Sequence, residues 1–182
     1  VAKMLTVAGA TVGEPMNNSA PSVGLPRIAL AMGDPAGIGP EILAKALADP
    51  RVHQACLPVV IGDARVMARA VEQSKLETRI VPVSDPGKAE PGPDTLCLMD
   101  MANVPDGLPV AEVSVEGGRA SLEYLERATR LALDGKVEAV GFAPQNKEAM
   151  KKAGSHHQEG YSYFAEQGGA EEYRVVMGGA GV

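Results

Sequence analysis

The chain has 182 residues and a formal net charge of −6, and it is 45% hydrophobic but only 3% aromatic, with no tryptophan. That length fits one domain, or a large piece of a two-domain protein, with a sizeable core. The acidic balance, without a long Lys/Arg run, argues against an extended surface for nucleic acid or anionic lipid; few aromatics argue against a base-stacking platform, and no apolar stretch is long enough to span a membrane.

Residues 1–10 hold one Lys, a short apolar run and Ala-Gly-Ala, which falls short of a secretory signal. Residues 11–26 are rich in Pro, Asn, Ser and Gly without periodicity, so residues 1–26 read as a flexible leader. The ordered pattern begins at Arg27 with an apolar strand over 28–32, followed by a loop over 33–39. A helix is predicted over 40–48, with Pro40 in its first turn and Ile42, Leu43, Ala46 and Leu47 turned inward. The continuous apolar run 57–61 has the character of a strand buried on both faces. Gly62-Asp63 then opens a helix to residue 73 that buries Val66, Met67, Ala70 and Val71.

Strands are expected over 78–83 and 95–99, either side of a Pro/Gly loop. A helix over 118–134 places Leu122, Leu125, Ala128 and Leu131 on one stripe and stops near Gly135. A strand over 138–142, a short helix over 146–153 and a strand over 173–177 complete the pattern. Alternating strands and helices with apolar strand runs indicate an α/β fold with a parallel sheet between helices. The Gly-rich end, with no closing element, reads as a fold cut short at its C-terminus. Cys56 and Cys97 lie far apart and read as small buried hydrophobes in a reducing, cytoplasmic compartment, not as a disulfide or a zinc pair.

Three clusters could carry chemistry. In Met32-Gly-Asp-Pro-Ala-Gly-Ile-Gly-Pro-Glu41 a buried strand feeds a loop holding Gly33, Gly37 and Gly39. Backbone N–H groups of such a loop, with the helix dipole behind them, suit an anion, and Asp34 or Glu41 could hold a cation or orient a polar ligand. The spacing is neither G-x-G-x-x-G nor a P-loop, and residue types alone equally support a tight strand-to-helix turn. In Ala143-Pro-Gln-Asn-Lys-Glu148, Asn146 can cap a helix and Lys147 can neutralise a phosphate or carboxylate, or simply be solvated on a first turn. In Ser155-His-His-Gln-Glu-Gly-Tyr-Ser-Tyr163, His156, His157 and Glu159 invite a metal, but adjacent histidines seldom face one ion together. A polar loop is the preferred reading there, and no metal ligand is assigned.

The Gly33–Glu41 run resembles the opening signature of the 4-hydroxythreonine-4-phosphate dehydrogenase family. Glu116-Gly-Gly-Arg-Ala, Ala143-Pro-Gln-Asn-Lys147 with Ala153-Gly154, and the stretch 160–166 match that family in order, so the resemblance covers residues 27–182. It implies a three-layer α/β/α fold, similar to isocitrate and isopropylmalate dehydrogenases, with residues 27–182 as the N-terminal part of a two-domain homodimer. It also implies NAD-dependent oxidation and decarboxylation of a hydroxy acid, assisted by a divalent metal (zinc, magnesium or cobalt), with a small-molecule substrate in the cleft. The family's three metal-binding histidines, and most of its dinucleotide site, correspond to positions beyond Val182, so the histidines of this chain are not assigned to them.

Where the family has Gly-His-Thr-Glu, this chain has Gly160-Tyr161-Ser162-Tyr163, so Tyr161 and Ser162 inherit substrate-contacting places with altered chemistry. Together with Gly179-Ala180-Gly181, that change resembles a branch acting on carboxylated aromatic dihydrodiols. Candidate substrate contacts are therefore Tyr161, Ser162, Lys147 and Asn146, with Gly33, Asp34, Gly37 and Gly39 lining the cleft. Two other readings stay open: a related phosphate acyltransferase, and a shortened paralogue that binds a ligand without catalysis.

Overall fold

The computed structural model describes residues 3–5, 24–157 and 160–169. The strands β1 (Lys3–Leu5), β2 (Arg27–Ala31), β3 (Leu57–Gly62), β4 (Arg79–Pro82), β5 (Thr95–Asp100) and β6 (Ala139–Phe142) form one sheet in the order β1-β6-β2-β3-β5-β4. β2 to β6 run parallel, and β1 pairs antiparallel with β6. The segment expected to be a flexible leader thus supplies an edge strand from residues 3–5.

β3 illustrates why the apolar runs become central strands: five of its six residues are buried, and Ala29 of β2 lies between Val59 and Val140 in the register. β4 is shorter than expected and partly exposed, and Pro82 is tolerated there because an edge strand need not use every N–H.

The helices are α1 (Gly39–Leu47), α2 (Pro50–Ala55), α3 (Ala64–Gln73), α4 (Val115–Leu133), α5 (Lys147–Lys152) and α6 (Gly160–Gln167). α1 packs on α3, whereas α4 lies over β2, β3 and β6 and carries α5 and α6. α3 buries the four expected residues, Val66, Met67, Ala70 and Val71. α1 corrects the predicted face: Pro40, Leu43, Ala44 and Leu47 are buried, while Ala46 is exposed. α4 begins at Val115, where Ser114 caps it by accepting from the Gly117 N–H at 3.0 Å. Its buried stripe includes Tyr124, whose hydroxyl donates to Asn103 at 2.8 Å and whose burial pushes the phenol well above its ordinary pKa. α6 replaces the second half of the polar loop expected over 155–163. The strand expected over 173–177 lies outside the described residues.

Cys97 is buried and Cys56 half-buried; both are free thiols, and burial pushes both above the ordinary range. Among the described residues no helix is long and apolar enough to cross a membrane.

Candidate functional site

The strand order places a topological switch point between β2 and β6. From β2 the chain moves to β3 on one side, and it later returns as β6 on the other. Because the two strands are parallel, the loops leaving their carboxyl ends lie on one edge of the sheet, where open α/β sheets usually take a ligand in the crevice of the switch point. Both loops that the sequence singles out leave from here: 33–38 after β2 and 143–146 after β6.

The glycine loop is anchored to its neighbour. The N–H of Asp34 donates to the Pro144 carbonyl at 3.2 Å, and a Cβ on Gly33 would meet that oxygen at 2.4 Å. Gly33 also has φ 79°, which favours glycine. A Cβ on Gly39 would meet the Met32 carbonyl at 2.5 Å. Gly33 and Gly39 therefore allow the protein's own backbone to approach, as a tight strand-to-helix turn requires. The N–H of Gly37 donates to the Asp34 carbonyl at 3.0 Å, and the N–H of Ala36 donates to Asp34 Oδ1 at 2.9 Å. Asp34 is buried, with Oδ1 in a local turn and directed at the first turn of α4, where a Cβ on Gly117 would lie 3.0 Å from it. A carboxylate at that helix end is favoured by the dipole. Gly37 and Ile38 are the part of the loop exposed at the crevice.

α5 is set by α4. Gly118 passes so close to α5 that a Cβ would fall 2.0 Å from the Ala149 carbonyl. Asn146 caps α5, its side chain accepting from the Ala149 N–H at 3.0 Å, so its side-chain oxygen serves the helix. Lys147 follows, exposed, at the first position of α5. Between Pro144 and Asn146 stands Gln145, whose side-chain nitrogen is buried with no hydrogen-bond partner among the described residues. An unmet buried donor costs about 1–3 kcal/mol, so Gln145 belongs among the candidate ligand contacts although sequence reasoning passed over it. The signal available was its place immediately before Asn146 and Lys147, the two residues chosen from the same motif.

Gly160, the first residue of α6, closes the set. A Cβ on it would lie 3.0 Å from the Phe142 ring and 3.1 Å from Gln145 Oε1. Phe164 fixes this end by sinking into the core, its ring centroid 5.6 Å from that of Phe142. Half-buried Tyr161 and Ser162 are thereby carried into the first turn of α6, beside the loop after β6. The β2 loop touches Pro144 and the next residue touches Gly160, so all three predicted segments meet at one edge.

A second polar centre lies at the ends of β3 and β5. Asp63 is fully buried and caps α3, accepting from the N–H groups of Arg65 at 3.0 Å and Val104 at 3.1 Å and from the Arg65 guanidinium at 3.0 Å. Burial alone would raise its carboxyl, but these hydrogen bonds outweigh that and hold it below the ordinary range. Every oxygen is satisfied inside the protein, which marks Asp63 as a structural clasp of the 100–106 loop.

Of the histidines, His53 lies in α2 and is bonded to the Leu47 carbonyl at 2.7 Å, whereas His156 and His157 adjoin α6. In the glycine loop, Gly33 and Gly39 face the protein's own carbonyls, and Gly37 is exposed.

Residues 54–182 match the family model described as pyridoxal phosphate biosynthetic protein PdxA. The chain is 36% identical to the 4-hydroxythreonine-4-phosphate dehydrogenase of Trichlorobacter lovleyi, over 85% of this chain and 46% of that protein. It is 39% identical to the D-threonate 4-phosphate dehydrogenase of Cupriavidus necator, over 76% of this chain and 41% of the relative. Among solved structures, a 4-hydroxythreonine-4-phosphate dehydrogenase from Burkholderia phymatum superposes with a TM-score of 0.78 at 36% identity, covering 82% of this chain and 45% of that one. The chain thus spans less than half the length of these relatives.

Proposed function

Since the chain belongs to the PdxA family, we propose that it forms the N-terminal part of a cytoplasmic, homodimeric dehydrogenase that oxidises the secondary alcohol of a hydroxy acid with NAD and a divalent metal, with loss of carbon dioxide. The observation that carries the reading is the convergence of the loops after β2 and β6 with the first turn of α6 at the switch point. That edge offers a lysine, an unpaired amide nitrogen, a hydroxyl and a phenol, a set suited to orienting an anionic, hydroxylated substrate. When bound, the metal would polarise the alcohol and then the ketone oxygen. This chain's own residues would bind and orient: Lys147 neutralises the anionic end, Gln145 donates from its side-chain nitrogen, and Ser162 supplies a hydroxyl.

The two relatives named above act on phosphorylated threonine-like acids, and that class is the leading substrate. Tyr161 supports a second reading, a carboxylated cyclohexadiene diol. A phenol packs against a ring, where an imidazole could carry charge toward a phosphate. The test uses a full-length protein carrying these residues and follows NAD reduction with 4-phosphohydroxythreonine, D-threonate 4-phosphate and the diol. Turnover of one phosphate compound supports the leading reading. Turnover of the diol that is lost in Tyr161→His supports the second. Reduction with none of the three, in folded protein loaded with metal, would overturn both.

A further inference from the structure

The sequence pairs the two adjacent histidines with Glu159, which lies outside the described residues. The structure supplies another carboxylate. Glu166, near the end of α6, brings its Oε2 to 3.2 Å from His156 Nε2 and 3.4 Å from His157 Nε2. One candidate ligand atom from each of the three lies within 4.8 Å of the others. We propose that His156, His157 and Glu166 bind one zinc-class divalent ion, which ties residues 155–157 to α6.

Three observations support this. The spacing is right: ligand atoms about 2.0–2.1 Å from a tetrahedral ion are about 3.3–3.4 Å apart, close to both measured His–Glu separations. The donors are right, since two imidazoles and a carboxylate suit a borderline ion, with water completing the shell. One ligand is already fixed. The His157 side chain is only 8% exposed, its ring stands edge-on to Tyr163 at 5.2 Å, and its backbone N–H donates to Ser155 Oγ at 3.2 Å. His156 and Glu166 are exposed enough to close by rotation around an ion.

The competing account is a carboxylate that bridges two imidazoles by hydrogen bonds alone. Titrating the purified chain with zinc, and then with cobalt to read the visible spectrum, separates them. One zinc per chain and a tetrahedral cobalt spectrum are expected. Glu166→Gln and His156→Ala alter exposed side chains and should each weaken zinc binding about tenfold or more, whereas His53→Ala should not. His157→Ala risks unpacking Tyr163, so the first two variants decide the matter. No zinc uptake, or uptake indifferent to both Glu166→Gln and His156→Ala, overturns the proposal. The assay needs neither substrate nor NAD, so it is independent of the dehydrogenase reading.

Discussion

Replacing Gly118 with alanine tests how the crevice is held open. The added Cβ would stand 2.0 Å from the Ala149 carbonyl, about 1.4 Å inside the 3.4 Å at which ordinary contact begins. The obstacle is helix backbone, which cannot rotate away as a side chain can. α5 must therefore shift, taking the Asn146 cap, Gln145 and Lys147 with it. Against this, alanine in the first turns of α4 gains at most about 1 kcal/mol of helix propensity. Overpacking of a tight contact costs about 1–3 kcal/mol and more when backbone must move, so a net loss of about 2 kcal/mol is expected. For a protein of this size that corresponds to about 4–8 °C in Tm. The assay is thermal and urea unfolding of Gly118→Ala beside Gly24→Ala, where a Cβ meets nothing within 4 Å. A Gly118→Ala chain as stable as the parent, or more stable, would mean that propensity wins and that the α4–α5 contact does not set the loop.

Asp63→Ala removes a helix cap, strands the Val104 N–H and takes from Arg65 one of its partners, leaving it Asp106 and the Val104 carbonyl, and should cost about 2–4 kcal/mol by urea unfolding at pH 7. Because the folded carboxyl titrates below its unfolded value of about 3.9, its contribution is complete above that pH and is lost as pH falls through the folded value. The parent should therefore lose stability more steeply than Asp63→Asn as the pH falls below about 4, and parallel curves would count against the clasp. In a full-length protein carrying these residues, Lys147→Met should raise KM for a phosphorylated substrate by about tenfold while shifting Tm by less than about 1 °C, as for loss of a charge-assisted contact on an exposed first turn. An unchanged KM would remove Lys147 from the site.

The sequence was most informative where a single local rule decides. The apolar runs of β3 and β5, the Asp63 cap with the α3 stripe behind it, and the Asn146 cap of α5 each follow from a few adjacent residues. Where tertiary contact decides, the reading failed. α2 buries no residue, so it gives no periodic signal, although Asp49-Pro50 is a fair capping pair. α6 opens on a glycine and three polar-tipped residues, and what holds it is Phe164 reaching across to Phe142. Tyr124 is absent from the stripe expected for this helix, and the partner that lets its hydroxyl be buried, Asn103, lies 21 residues away.

The glycines show how far a motif can be read without its neighbours. Gly33, Gly39 and Gly118 look alike in sequence to glycines that admit a ligand, but each faces a carbonyl of this same chain: Pro144, Met32 and Ala149 respectively. All three contacts bear on the loops at the switch point or on α5 beside it. Two glycines fix how β2 and β6 open into their loops, and the third fixes the helix on which Lys147 rides. Small residues in this motif would then be required by the geometry that holds the crevice, with binding left to Gln145, Lys147 and the first turn of α6. A substitution at Gly33 or Gly118 should accordingly appear first as lost stability, whereas one at Gln145 or Lys147 should alter ligand affinity in a protein that still folds.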